Sequence, residues 1–183
     1  GDFSGNVAAV NSNGIVGDFS SASGTYILAT PTDSDGMNED SGVWFLDNSS
    51  GSAVSGLVLP TLSDGWKYEG WAVIGGMPIS TGTFSSVNGF DDNATTSMFK
   101  GNSGNGPGFP GEDYIQNAPN GLTFPTDLRG TTIVISVEPV PDNSTNPFTL
   151  KPLAHVVPAN ADVHTAITMG SGPVNYLSGT VSR

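Results

Sequence analysis

The sequence predicts an all-β protein, an antiparallel β-sandwich of about seven to nine strands with an Ig-like or Greek-key course and one long irregular loop region. Three observations carry this. Apolar residues fall in short runs bounded by Gly, Pro, Asn and Asp, and no segment of helical length keeps a 3.6-residue period. Only 12% of residues are charged, against about a quarter in an average domain, and helices need charge to coat their outer faces. The 25 glycines and 13 prolines supply turns, while three Trp, four Tyr and nine Phe supply a core.

The strands follow in order. Residues 25–29 (Thr-Tyr-Ile-Leu-Ala) and 42–46 (Gly-Val-Trp-Phe-Leu) are the first two apolar runs. Residues 67–74 and 79–84 read as a hairpin across Gly75-Gly76. Period-2 alternation puts Tyr68, Gly70, Ala72 and Ile74 on the core face, and Lys67, Glu69, Trp71 and Val73 on the other. Trp44 and Tyr68 are expected to be buried and Trp71 partly exposed. Residues 131–137 form the strongest strand, with Ile133, Ile135 and Val137 on one face. Residues 150–157 form a late strand that Pro152 pushes towards a sheet edge.

Between them, residues 87–125 carry Pro110, Pro119 and Pro125 and little periodicity. A loop this long in a compact domain is often functional. Residues 112–117 inside it are expected to make one short helical turn. Nothing divides the chain, so residues 1–183 are read as a single domain. Gly1-Asp2-Phe3-Ser4 recurs as Gly17-Asp18-Phe19-Ser20, by coincidence or as a shared turn. The chain opens without an initiator Met, and the expectation is of a processed or excised piece of a longer, multi-repeat surface protein.

Five Lys and Arg against 17 Asp and Glu give a formal charge of −12. Nucleic acid is thereby excluded as a partner, because phosphate binding needs clustered basic residues. Divalent cations and basic partners are favoured. No apolar run approaches the roughly 18 residues of a transmembrane helix. The absence of Cys excludes disulfides, thiolate metal sites and a cysteine nucleophile. Together with a Ser/Thr/Asn/Gly-rich surface, it points to a bacterial extracytoplasmic protein.

Acidic loops are the candidate metal ligands. Asp33, Asp35 and Asp40, around Gly36, alternate in a way that can wrap a hard cation such as Ca2+, and Asp91-Asp92 forms a second cluster. The spacing is not that of an EF-hand, and a solvated acidic loop is the competing reading. Glu69, Glu112 and Glu138 are the carboxylates from which a glycosidase pair would be drawn, although spacing alone brings no two together. His155 and His164 fit neither a helical nor a strand ligand pair. No nucleophile elbow or phosphate loop is present. Asn48, Asn93 and Asn143 begin glycosylation sequons, which matter only in a glycosylating host. Trp44, Trp66 and Trp71 suit either a sugar-stacking platform or core packing. Trp71, Tyr114 and Glu112 are the candidate ligand or interface residues.

Two segments resemble a known family. Residues 66–74 (Trp-Lys-Tyr-Glu-Gly-Trp-Ala-Val-Ile) with 78–84 (Pro-Ile-Ser-Thr-Gly-Thr-Phe) resemble a hairpin of the anti-sigma-K factor C-terminal domain. Residues 134–139 (Val-Ile-Ser-Val-Glu-Pro), followed by Pro141-Asp142-Asn143 and Pro147, resemble that family's later strand and turn. The most similar forms are secreted or lipid-anchored proteins of Bacteroidetes and related bacteria. In them, the opening residues 1–6 look like the junction after a preceding repeat. The resemblance implies an extracytoplasmic β-sandwich and supplies no catalytic residues. The sigma-binding helical domain and membrane segment of that family are not in this chain.

The expected function is non-enzymatic. The chain is read as a module of a bacterial cell-surface protein, acting by self-assembly into a filament or layer, or as a sensor that binds a protein partner. Calcium is an optional ligand and no cofactor is required. The alternative is a glycan-binding or glycan-processing domain.

Overall fold

The computed structural model describes residues 18–172. The Gly1-Asp2-Phe3-Ser4 half of the repeat and the junction at residues 1–6 lie outside them. Of the second copy, Asp18 caps a 3-10 turn (Phe19–Ser21), its Oδ1 accepting the Ser20 N–H at 2.9 Å.

The described residues are almost all β, without an α-helix. The strands are β1 (Ser23–Leu28), β2 (Gly42–Trp44), β3 (Leu46–Asp47), β4 (Val54–Ser55), β5 (Leu57–Val58), β6 (Trp66–Ile74), β7 (Met77–Phe84), β8 (Gly111–Asp113), β9 (Thr132–Pro139), β10 (Leu153–Val156), β11 (Ile167–Thr168) and β12 (Gly170–Ser171). One sheet runs β11-β1-β2-β8, with β5 also paired to β1; a second runs β12-β10-β9-β6-β7; β3 and β4 pair as a separate two-stranded sheet. Every pairing is antiparallel. No helix among the described residues is long and apolar enough to cross a membrane.

The hairpin stands where the sequence put it. Gly75 and Gly76 have φ of 59° and 84°, and Ile74 pairs with Met77. Two left-handed residues in a row are what a type I′ turn requires, and glycine adopts them without strain. The second strand begins two residues earlier than expected, at Met77.

The core lies between the sheets and follows the predicted facing. Tyr26, Leu28 and Val43 from the first sheet pack against Tyr68, Ala72, Ile74, Ile133, Ile135 and Val137 from the second. Tyr68 stacks on Phe84 with centroids 5.7 Å apart. A second apolar layer forms on the outer face of the first sheet, where Ile27, Ala29, Trp44 and Leu46 are covered by Phe109.

Four expectations need correction. The 42–46 run is not one strand: the Phe45 N–H donates to Pro110 O and its carbonyl accepts from Gly56, which breaks the ladder between β2 and β3. Residues 112–117 make no helical turn, because Gly111–Asp113 pairs with β2 as a strand. The late strand starts only after Pro152 and lies one position in from the edge, between β9 and the two-residue β12. Trp71 is buried, at 2% exposure, because chain distant in sequence covers the outer face of the second sheet.

Candidate functional site

That covered outer face holds the most unusual polar chemistry of the described residues. In the β6–β9 ladder Lys67 lies opposite Glu138, Glu69 opposite Ser136 and Trp71 opposite Val134. Since Tyr68 and Val137 face the core, these residues share the other face. Glu69 and Glu138 are thus diagonal neighbours, within reach of long side chains.

A hydrogen-bonded chain crosses the ladder. The Trp71 indole Nε1 donates to Ser136 Oγ at 2.8 Å, and the Ser136 hydroxyl donates to Glu138 Oε1. The same Oε1 accepts the Phe148 N–H at 2.8 Å. On the β7 side, the register slips at Gly70/Trp71, where Gly70 pairs with Gly82 and Trp71 with Ser80. This bulge re-aims a side chain, as bulges do. The Ser80 hydroxyl donates to Glu69 Oε1 at 2.5 Å and accepts the Gly82 N–H at 2.9 Å.

Asp142 completes the cluster from the loop after β9. One carboxylate oxygen from each of Glu69, Glu138 and Asp142 lies within 4.8 Å of the others. Glu69 and Glu138 are buried, at 6% and 1% exposure. Each keeps one oxygen, Oε2, with no hydrogen-bond partner among the described residues. Asp142 Oδ1 accepts the Ser144 N–H at 2.8 Å, which shapes the covering loop. A cleft of about 300 Å³ opens beside the cluster, with Glu69, Trp71, Ser80, Phe99 and Ser144 among its walls.

Electrostatics follow from burial. Desolvation pushes the Glu69 carboxyl up to about 7; the Ser80 hydroxyl opposes the rise, and the charges of Glu138 and Asp142 add to it. Desolvation also raises Glu138, against the hydrogen bonds from Ser136 and Phe148. Like charges around one point disfavour ionising all three groups.

A second acidic knot ties the 87–125 loop to the first sheet. Asp113 accepts from Trp44 Nε1 at 2.6 Å and from the Thr32 N–H at 2.7 Å. Asp91 accepts the Gly111 N–H at 3.1 Å and the Asn93 N–H at 3.2 Å. Glu112 bonds the Ser97 hydroxyl and accepts the Asp113 N–H at 2.9 Å. Burial pushes Glu112 up to about 8, with Asp113 and Asp91 adding to the rise, and takes Asp113 and Asp91 each to about 6.

The metal ligands predicted from the sequence are not brought together. Asp33 and Asp35 form successive turns in an exposed loop, Asp33 accepting from the Asp35 N–H and Asp35 from the Met37 N–H. Asp40 pairs with Arg129 at 2.8 Å. Asp92 pairs with Lys67 at 2.7 Å, while Asp91 is turned inward to Gly111. Trp71, Tyr114 and Glu112 are all buried; of the three, Trp71 lines the cleft beside the Glu69 cluster. The Tyr114 hydroxyl donates to Ile79 O at 3.2 Å, and its ring packs on Phe99 and Phe124. Sequence reasoning weighed Glu69 and Glu138 but missed Asp142, Ser136 and Ser80. The available signal was two glutamates on the non-core face of neighbouring strand runs.

The chain matches no family model, no curated protein and no solved structure.

Proposed function

We propose that this chain is a non-enzymatic, extracytoplasmic β-sandwich module of a bacterial surface protein, acting by binding or assembly. The observation that carries this is the way the long loop is held. Buried Asp113 ties residues 87–125 to Thr32 and Trp44, buried Asp91 braces the segment from within by accepting the Gly111 N–H, and the same loop presents Phe90 and Met98 to solvent at 52% and 61% exposure. Large apolar side chains held out by an anchored loop suit an interaction surface. The likeness of residues 66–84 and 134–147 to the extracytoplasmic anti-sigma-K domain supports the location. A retaining glycosidase needs a sugar between its carboxyls, and the depth of Glu69 and Glu138 favours binding over hydrolysis.

The test is light scattering across concentration with negative-stain microscopy, beside a glycan and peptide binding screen, for the wild type and for Phe90→Ser/Met98→Ser. Assembly or ligand binding that the double variant loses supports the proposal. Turnover of glycosides, peptides or esters, abolished by changing one carboxylate, overturns it.

A further inference from the structure

We propose that Glu69, Glu138 and Asp142 form a binding site for a divalent cation of the calcium type. This inference is independent of the surface-module reading and concerns a place the sequence did not single out for metal.

Two separate observations support it. The first is convergence: three carboxylates, from β6, from β9 and from the following loop, present oxygens within 4.8 Å of one another. Ligands on opposite sides of an ion with bonds of 2.3–2.6 Å stand about 5 Å apart, so this spacing suits one calcium ion. The second is the pair of orphaned oxygens. Glu69 Oε2 and Glu138 Oε2 are buried without a partner among the described residues, and a buried carboxylate oxygen left unmatched is unfavourable. Their sister Oε1 atoms are already used by Ser80, Ser136 and Phe148. The framework thus fixes both side chains and leaves one oxygen of each free.

Basic side chains do not answer these oxygens. Lys67 stands opposite Glu138 in the ladder, yet its Nζ donates to Asp92 at 2.7 Å. Lys151 favours charge on Glu138 from a distance, but its Nζ donates to Phe148 O at 2.6 Å. Lys100 is committed to Gly104 O and Asn105 Oδ1, and Arg129 to Asp40, Asp127 and Ala161 O. These are the four lysine and arginine side chains among the described residues, and the two histidines, His155 and His164, lie against Tyr26 and Glu39. An all-oxygen, acidic donor set selects a hard cation over zinc or copper. The neighbouring cleft gives access and room for the water that would complete six to eight ligands.

The test uses the full chain stripped with chelator, then titrated with calcium chloride by calorimetry and with terbium chloride by luminescence excited through tryptophan. Trp71 joins the cluster through Ser136 and is well placed to sensitise terbium. The expected result is one site per chain, sensitised emission, and a melting temperature that rises with calcium. Asp142→Asn keeps the Oδ1 that accepts the Ser144 N–H, so it should fold and bind at least tenfold more weakly. Glu138→Gln should bind more weakly still, and Asp33→Asn/Asp35→Asn should bind as the wild type does. No binding by the wild type overturns the proposal. So does unchanged affinity in Asp142→Asn, or loss of binding in the Asp33/Asp35 variant alone.

Discussion

Trp71 and Ser136 are joined across the β6–β9 ladder by an indole-to-hydroxyl hydrogen bond of 2.8 Å, on the face of the sheet turned away from the main core. The bond fixes the Ser136 hydroxyl as acceptor from Trp71, so its own proton is directed to Glu138. A single tryptophan thereby orients a glutamate through the intervening serine. Trp71→Phe keeps most of the apolar volume and deletes the donor. Loss of one buried hydrogen bond plus a partial cavity should cost about 2–3 kcal/mol in urea unfolding. Ser136→Ala should cost a similar amount, and the double variant less than the sum, because the two act through one bond.

Tyr68 tests the other face of the same strand. It is 2% exposed, stacks on Phe84, and its hydroxyl donates to Pro60 O at 2.6 Å. Tyr68→Ala should cost about 3–5 kcal/mol, as large aromatic truncations in cores do. Tyr68→Phe isolates the hydroxyl and should cost about 1 kcal/mol. A loss below about 1 kcal/mol for the alanine variant would contradict the packing between the sheets.

The contrast between these two residues explains what the sequence made legible. Tyr68, Ala72 and Ile74 alternate in step with Ile133, Ile135 and Val137, and a local period of two suffices to place them between the sheets. The other face carries Lys67, Glu69, Trp71, Ser136 and Glu138, a composition that reads as half wet. Its burial depends on Phe99 and the loop around Ser144, which reach it from elsewhere in the chain. No local pattern encodes that cover. The β8 strand is a similar case: Gly111–Asp113 is extended because Gly42–Trp44 supplies the ladder partner, whereas locally Glu112-Asp113-Tyr114 suits a helical turn. The acidic cluster was hidden for the same reason. Each glutamate was visible, but their meeting with Asp142 rests on strand register and on a loop.

Gly106 offers a sharp local test of the loop. Its φ is 86°, and an added Cβ would collide with the Trp44 ring. Moving that ring would also break the 2.6 Å bond from Trp44 Nε1 to Asp113. Gly106→Ala should therefore cost about 3 kcal/mol, combining left-handed strain with displaced packing. Gly104 is the control: its φ is 107°, but a Cβ there meets nothing within 4 Å. Gly104→Ala should cost only the backbone strain, about 1 kcal/mol. Equal losses in thermal unfolding would show that Trp44 does not press on the loop.

The acidic knot predicts how stability changes with pH. Burial holds the Glu112 carboxyl at about 8 against an ordinary 4.5, and Asp113 and Asp91 at about 6 against 3.8. The folded chain therefore holds more protons than the unfolded chain between about pH 4 and 8. A group raised in this way contributes stability that is fully present below its unfolded value and is lost as pH rises through its folded value. In chelator, which removes any cation from the Glu69 cluster, the melting temperature should fall steadily from pH 5 to pH 9. Glu112→Gln mimics the protonated carboxyl. Its Oε1 can still accept the Asp113 N–H, and its amide can donate to Ser97. The variant should match the wild type near pH 5, exceed it at pH 8–9, and flatten the upper part of the profile. Asp113→Asn should fare worse at every pH. Its nitrogen cannot accept, so either the bond from Trp44 Nε1 or those from Thr32 would be lost. A Glu112→Gln profile parallel to that of the wild type would mean that Glu112 is already ionised in the folded protein.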